Sequence, residues 1–296
     1  MSIKARGRHY FPPVGTPITA VRVRREGGGQ ASHPHDLTET EHDHDFMELV
    51  IVVNGAAQQH LDGQIHSVST GDVYILQDRS RHYFHDIRQL ELINVMYDPA
   101  RLALPLDDLR LLPGYSALFL LEPQYRKRHQ FSSRLHLGPT ALEVAQRLGG
   151  DMVREVAEGQ PGRGVVLLAR LLELMTFLAR QYARIRTSGA QELLRIGDVI
   201  SALGGDYTRP WTLDEMSHLA GMSRSTFLRT FRRALGQSPL DYLIERRLAA
   251  SMRLLRESSR SITEIGFEAG FSDSNYFARQ FRKRTGTTPS AFRAML

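Results

Sequence analysis

Two periodicities divide the chain. From about Asp43 to Asp98, apolar and polar positions alternate in short runs. Phe46–Val53, Ala57–Leu61, Gln64–Ser67, Asp72–Gln77 and Leu90–Tyr97 are rich in Val, Ile and aromatics. The dipeptides between them, Asn54-Gly55, Asp62-Gly63 and Thr70-Gly71, are turn formers. One more strand is expected at Ile18–Arg25, with Glu26–Gly29 as a loop. Many short strands joined by such turns predict a small barrel or jelly roll. Residues 100–138 follow neither period. Beyond them the spacing becomes helical, over Thr140–Glu158 and Arg163–Arg186. In the second of these, Val165, Leu168, Leu171, Leu172, Met175, Phe177 and Leu178 make a broad apolar surface. Such a surface covers the barrel, joins two copies of the chain, or does both.

After a linker at about Thr187 to Glu192, and a helix containing Ile196, Val199, Ile200 and Leu203, one pattern occurs twice. The first copy has Leu213, Met216, Ala220, Gly221, Ser223, Phe227, Phe231, Gly236 and Pro239. The second has Ile262, Ile265, Ala269, Gly270, Ser272, Phe277, Phe281, Gly286 and Pro289. Ala220 and Ala269 lie 49 positions apart and Phe231 and Phe281 lie 50 apart, so one residue was gained after the glycine. Thr212-x-x-Glu215 and Ser261-x-x-Glu264 are capping boxes that open a helix. Gly221 and Gly270 suit the sharp turn that closes it. Ser223 or Ser272 then caps a second helix, which buries a Phe pair at i,i+4 and leaves a polar, basic face outward. That is a helix-turn-helix, twice, and a second helix of this kind reads a DNA major groove.

Charge agrees with that reading. The net formal charge is +6, and residues 190–296 hold 16 Arg and Lys against 11 Asp and Glu. Almost all of those cations are Arg, which pairs bidentately with guanine or phosphate. The chain has no Cys, which excludes disulfides, thiolate zinc sites and cysteine nucleophiles. Residues 1–30 mix Arg, Pro and Gly with no apolar core of a signal peptide, and no apolar run is long enough to span a bilayer. A cytoplasmic protein without a membrane partner is expected.

Residues 190–296 resemble the DNA-binding domain of AraC-type transcriptional regulators. The segment from Gly270 through Asn275, Phe277 and Phe281 to Lys283, followed by Gly286-Thr-Thr-Pro289, matches that family's second motif. DNA-repair methyl-acceptor proteins share the domain but need reactive cysteines, so the cysteine-free chain excludes them. In the first recognition helix Ser225 and Arg229 share an exposed face and are candidates for base reading, while Arg224 and Arg232 suit phosphates. The resemblance places Asp273, Ser274 and Asn275 at the groove-facing start of the second, with Arg279 one turn on; Asp273 is equally suited to the helix N-terminus.

Histidine crowds the stretch up to His85. His42-x-His44-x3-Glu48-x6-Gly55, then Gly71-x5-Gln77 and His82, resembles the two cupin motifs, departing from the second where Gln77 and Arg79 replace the usual Pro and Gly. In metal-dependent cupins the matching residues bind a transition metal. His42, His44 and Glu48 share strand parity, yet on a straight strand His44 and Glu48 would stand roughly 13 Å apart. A shared metal therefore needs a bend between them. The same four residues could instead line a pocket for a polar small molecule, or hold strand ends together by hydrogen bonds.

The expected fold is α+β: an N-terminal cupin-like β-barrel with dimerisation helices, then an all-α domain with two helix-turn-helix motifs. The expected divisions are 1–138 for ligand sensing, 139–187 for dimerisation, 188–192 as linker and 193–296 for DNA binding, with the motifs at about 212–236 and 261–286. The resemblance implies a non-enzymatic transcription regulator, an activator controlled by a small-molecule effector. It also implies double-stranded promoter DNA and RNA polymerase as partners, and a homodimer. The likeness is greatest to sugar-responsive members, particularly rhamnose regulators. A metal-dependent cupin enzyme or metal sensor fused to a DNA-binding domain is the alternative, with a divalent transition metal at His42, His44, Glu48 and His82; a DNA-binding protein with an inert barrel is a third.

Overall fold

The computed structural model describes residues 3–24, 40–77, 79–102, 104–129 and 133–295. The expected loop at Glu26–Gly29 and residue Arg25 lie outside them. The chain forms two compact units, Met1–Gly197 and Asp198–Leu296. Among the described residues no helix is long and apolar enough to cross a membrane.

Among the described residues of the first unit eight strands form one sheet: β1 (Ile3–Ala5), β2 (Ile18–Arg24), β3 (His42–His44), β4 (Met47–Leu61), β5 (Gln64–Ser69), β6 (Asp72–Leu76), β7 (His82–Tyr97) and β8 (Leu135–His136). The sheet order is β1-β3-β7-β4-β6-β8, with β2 also on β7 and β5 also on β4. The long β4–β7 ladder is its spine. Asp62 (φ 48°) and Gly63 (φ 82°) make the expected hairpin between β4 and β5. Asn54-Gly55 does not make the expected turn. The β4–β7 register shifts on either side of it, so the dipeptide is a bulge inside one strand. Gly55 is required there: its φ is +80°, and a Cβ would lie 2.2 Å from the Gln89 carbonyl oxygen. The bulges bend the ladder until its halves line one core, which unites Val50, Val52 and Tyr74 with Ala57, Leu61, Val68 and Phe84.

The outer face of the ladder is covered by a helix at Pro139–Glu158, where Gly149 lets the backbone close on Ile93. A second helix runs Arg163–Tyr182 and so ends before the expected Arg186. It buries Leu167, Leu171, Leu174, Met175, Leu178 and Tyr182. Leu168, Leu172 and Phe177 remain half-buried and Val165 and Val166 exposed, so an apolar stripe is left over. Residues 100–138 include the helix Leu106–Arg110 and a continuous helical stretch from Pro113 to His129 with a π turn at Ser116–Leu121.

The expected linker at 188–192 is instead the start of a helix, Ser188–Gly205. Its first residues read as a linker because Ser188-Gly189-Ala190 are small. Tertiary packing decides otherwise: Ala190 and Leu193 are fully buried, and the Tyr125 hydroxyl donates to Glu192 at 3.2 Å. Gly197 lies so close to Pro113 that a Cβ would sit 2.5 Å from its carbonyl oxygen. The first half of this helix thus belongs to the N-terminal unit.

In the second unit, helices at Leu213–Leu219 and Arg224–Leu235, then Ile262–Glu268 and Ser274–Thr285, form the two motifs around a central helix, Pro239–Glu257. Both capping boxes are closed. Leu248, Leu255, Ile265, Ala269, Phe277 and Phe281 form the core of the second motif. Phe231 of the first meets Tyr242 of the central helix edge to face at 5.9 Å.

Candidate functional site

Each recognition helix is aimed by the apolar pair on its inner face. Phe227 and Phe231 are fully buried, as are Phe277 and Phe281. On the opposite side Arg224, Ser225, Arg229 and Arg232 are all exposed. Ser225, Arg229 and Arg232 follow one another at helical spacing. Arg224 faces Asp214 at 3.6 Å, an exposed pair that is weak in water.

In the second motif the expected cap Ser272 is displaced. The carboxylate of Asp273 accepts from the Tyr276 amide at 2.5 Å, and the helix begins at Ser274. The residue gained after the glycine is thereby located: the caps Ser223 and Asp273 lie 50 apart, so the longer turn precedes the cap. Ser225 then corresponds to Asn275, Arg229 to Arg279 and Arg232 to Arg282. Asn275 and Arg279 are exposed and Ser274 half-buried. Arg282, also exposed, was not singled out from the sequence, although the repeat offset would have found it. Arg284, in the same turn, is engaged with Asp241 at 2.7 Å and Glu245 at 3.1 Å.

The histidine cluster forms at one end of the barrel core. The needed bend exists: β3 ends at His44 and β4 begins at Met47. Asp45 accepts from the Gly7 amide at 2.6 Å, and Phe46 turns inward against Phe11 and Met96. The Arg79 amide donates to the His44 carbonyl at 2.7 Å, and Arg79 adopts the left-handed conformation (φ 61°) where the cupin motif has glycine. The substitution therefore leaves the turn in place.

The bend brings His44 Nε2 to 3.1 Å from Glu48 Oε2, with His82 Nε2 3.8 Å from the same oxygen. Ligand atoms of His44, Glu48 and His82 all lie within 4.8 Å of one another, and all three side chains are buried. His42 is not part of that group. Its ring stands 4.2 Å from that of His82, and it completes the wall.

The Nδ1 atoms fix the tautomers. His44 Nδ1 is 2.8 Å from the Phe46 carbonyl, His82 Nδ1 is 3.0 Å from that of Ser80, and His42 Nδ1 is 3.1 Å from that of Thr40. A carbonyl only accepts, so each Nδ1 carries a proton, and the Nε2 atoms of His44 and His82 are turned toward Glu48. Burial opposes ionisation of Glu48, but the hydrogen bond and charge of His44 outweigh it and hold the carboxyl at about 2. Burial, helped by His42 and His44, pushes His82 down to about 3. A carboxylate and two imidazole Nε2 atoms thus converge on one buried point.

The donor set fits a metal. Ligands about 2.1 Å from a shared ion stand roughly 3.0–3.4 Å apart; His44 and Glu48 meet that at 3.1 Å, and His82, 3.8 Å from the same oxygen, would have to move slightly inward. Nδ1–H bonds to backbone carbonyls are the usual outer support of ligating histidines.

Residues 28–149 match the family of AraC-like ligand binding domains, and residues 216–295 match a helix-turn-helix domain family. The HTH-type transcriptional activators RhaR of Shigella flexneri and of Escherichia coli (strain K12) are 29% identical over 262 residues, 88% of this chain and 89% of theirs. Two solved structures are each 31% identical over 34% of this chain, with a TM-score of 0.33. They are the DNA-binding domain of AdpA in complex with a target DNA, of which 91% is covered, and a transcriptional regulator from Chromobacterium violaceum, of which 90% is covered.

Proposed function

Because the chain belongs to the AraC-type transcriptional regulators, we propose that it is a cytoplasmic, non-enzymatic activator that binds promoter DNA through both recognition helices. A small-molecule effector held in the N-terminal barrel switches it. The carrying observation is the pair of matched, outward polar faces. Ser225 and Arg229 in one helix and Asn275 and Arg279 in the other occupy equivalent positions 50 residues apart, each opposite a buried Phe pair. These four read bases; Arg224, Arg232 and Ser274 serve phosphates or the groove edge, and Asp273 serves the helix it caps. The stripe left over on Arg163–Tyr182 supports a homodimer, and RNA polymerase is the partner an activator must engage.

Selection of sites from random double-stranded DNA by the full-length protein tests the reading. Two short preferred blocks about 10 base pairs apart are expected. A protein that enriches no sequence refutes it.

The effector site is the cluster of His42, His44, Glu48 and His82. Its converging Nε2 atoms and carboxylate favour a second statement, that His44, Glu48 and His82 hold a divalent transition metal. Such an ion would supply a Lewis-acidic point for an oxygen-bearing effector. Metal analysis of purified protein should give about one ion per chain, lost in His44→Ala. Absence of any ion in protein purified without chelator, and no thermal shift with added zinc or manganese, refutes the metal but not the effector.

A further inference from the structure

The inner wall of the barrel carries polar groups that the His–Glu centre does not use. Two residues along β4 from Glu48, one row of the sheet runs Tyr74–Val50–Asn94. Two residues along β7 from His82, another runs Phe84–Gln59–His66. The period-2 rule puts both rows on the face that holds the core residues Val50, Tyr74 and Phe84. Gln59 is 0% and Asn94 1% exposed. Among the described residues neither Oε1 nor Nε2 of Gln59 finds a hydrogen-bond partner, nor does Oδ1 of Asn94.

That arrangement is unfavourable for folding alone. A buried polar group without a partner is destabilising, and an apolar side chain of the same shape would be better tolerated. Unpaired buried groups of this kind are few in folded proteins and want an explanation. Two amides placed among Val50, Leu61, Leu92 and Phe84 offer donors and acceptors to something that enters.

The surroundings say what enters. Arg126, whose guanidinium lies 5.2 Å from the Tyr74 ring, has Glu122 at 3.7 Å. Burial and then the Arg126 charge push His66 down to about 4, so it is neutral near pH 7. An anion would find Arg126 already facing Glu122. A hydroxylated ring finds amides for its hydroxyls and the aromatic faces of Phe84 and Tyr74 for its C–H face.

We propose that Gln59 and Asn94 are specificity residues for a neutral polyhydroxylated effector, a monosaccharide or alditol. One end of this molecule meets the amides and the other the His44–Glu48–His82 centre. This rests on the reading of the barrel as an effector domain.

The test uses the full-length protein and the volume-conserving variants Gln59→Met and Asn94→Leu. Melting temperature is followed with millimolar aldoses, alditols and the corresponding aldonates, and DNA binding is measured in parallel. Wild type should be stabilised by one or more neutral compounds. Each variant should melt at or above the wild-type temperature without ligand, bind DNA, and show roughly ten- to hundred-fold weaker apparent affinity for that compound. Undiminished affinity in both variants overturns the amide assignment and leaves the effector reading standing. Variants that melt well below wild type without ligand make the amides structural and also overturn it. A wild type that answers only aldonates overturns the neutral class; one that answers no compound overturns the effector reading as well.

Discussion

Gly221 and Gly270 occupy the same place in the two motifs, yet the structure gives them different burdens. Both have positive φ, +60° and +92°. A Cβ at Gly221 would meet nothing within 4 Å, whereas at Gly270 it would lie 2.7 Å from Thr208 Cα and 3.0 Å from both the Thr208 oxygen and Arg247 Nε. Gly221→Ala therefore carries only the left-handed penalty, partly offset by a less flexible unfolded chain, about 1 kcal/mol net. Gly270→Ala adds overpacking against backbone that Arg247 pins through its bonds to the Tyr207 and Arg209 carbonyls, both 2.8 Å. The total should be about 2–4 kcal/mol. The single tryptophan of the chain, Trp211, reports on this unit, its indole donating to the Asp206 carbonyl at 2.7 Å. Urea unfolding followed by Trp211 emission should move the midpoint by under about 1 M for Gly221→Ala and by about 1 M or more for Gly270→Ala. Equal shifts would refute the reasoning, because they would mean that Thr208 yields without cost.

Arg229→Ala should weaken the selected site by about 1–3 kcal/mol and relax preference at one base pair, while Arg232→Ala should weaken all sequences alike and lower the salt slope by about one; anisotropy titrations on selected and random duplexes separate them, and equal losses for Arg229→Ala on both duplexes would remove it from base reading. Asn275→Ala should keep its melting temperature and alter the second half-site in a selection experiment; an unchanged consensus would exclude Asn275. His44→Ala and Glu48→Ala should fold and bind DNA, yet give no effector response in a reporter strain, and full induction would place the pocket elsewhere. In chelator-treated protein, stability should fall with acid in two stages of the same sign. Unfolded His82 takes a proton near 6.5 and the folded one only near 3, and unfolded Glu48 takes one near 4.5 against about 2 when folded. Melting temperatures between pH 7 and 4 should therefore fall less steeply in His82→Gln than in wild type, and parallel curves would count against a buried neutral His82.

The helix-turn-helix pair was readable because everything that makes it is local: a cap and Glu three apart, a glycine at the turn, a Phe pair at i,i+4. Even there the start of the second recognition helix moved by one, since Ser272 and Asp273 both cap well and only the packed position of Phe277 chooses between them. The barrel was readable strand by strand but not in its continuity. Asn54-Gly55 is a hairpin signal when flanked by strands of unknown pairing; with β7 alongside for its whole length, β4 has no reason to reverse and takes a bulge. His44 and Glu48 were identified by spacing, but their meeting depends on Gly7, 38 residues from Asp45, and no local pattern carries that.

Gln59 and Asn94 were invisible for the opposite reason. A polar residue in an alternating strand reads as solvent-facing, and nothing in the strand itself says that both faces are covered. Once the register is known, the same residues become exceptions to the pattern: amides on the face where Val50, Leu61, Val68 and Leu92 are apolar. Local rules are expected to fail where a protein keeps an unfavourable residue for use rather than for folding. The His–Glu centre is the same kind of exception, a carboxylate and imidazoles where hydrophobic packing would be more stable. That both exceptions open onto one core argues for one buried ligand touching both, because two unrelated structural compromises would have no reason to share a face of the sheet.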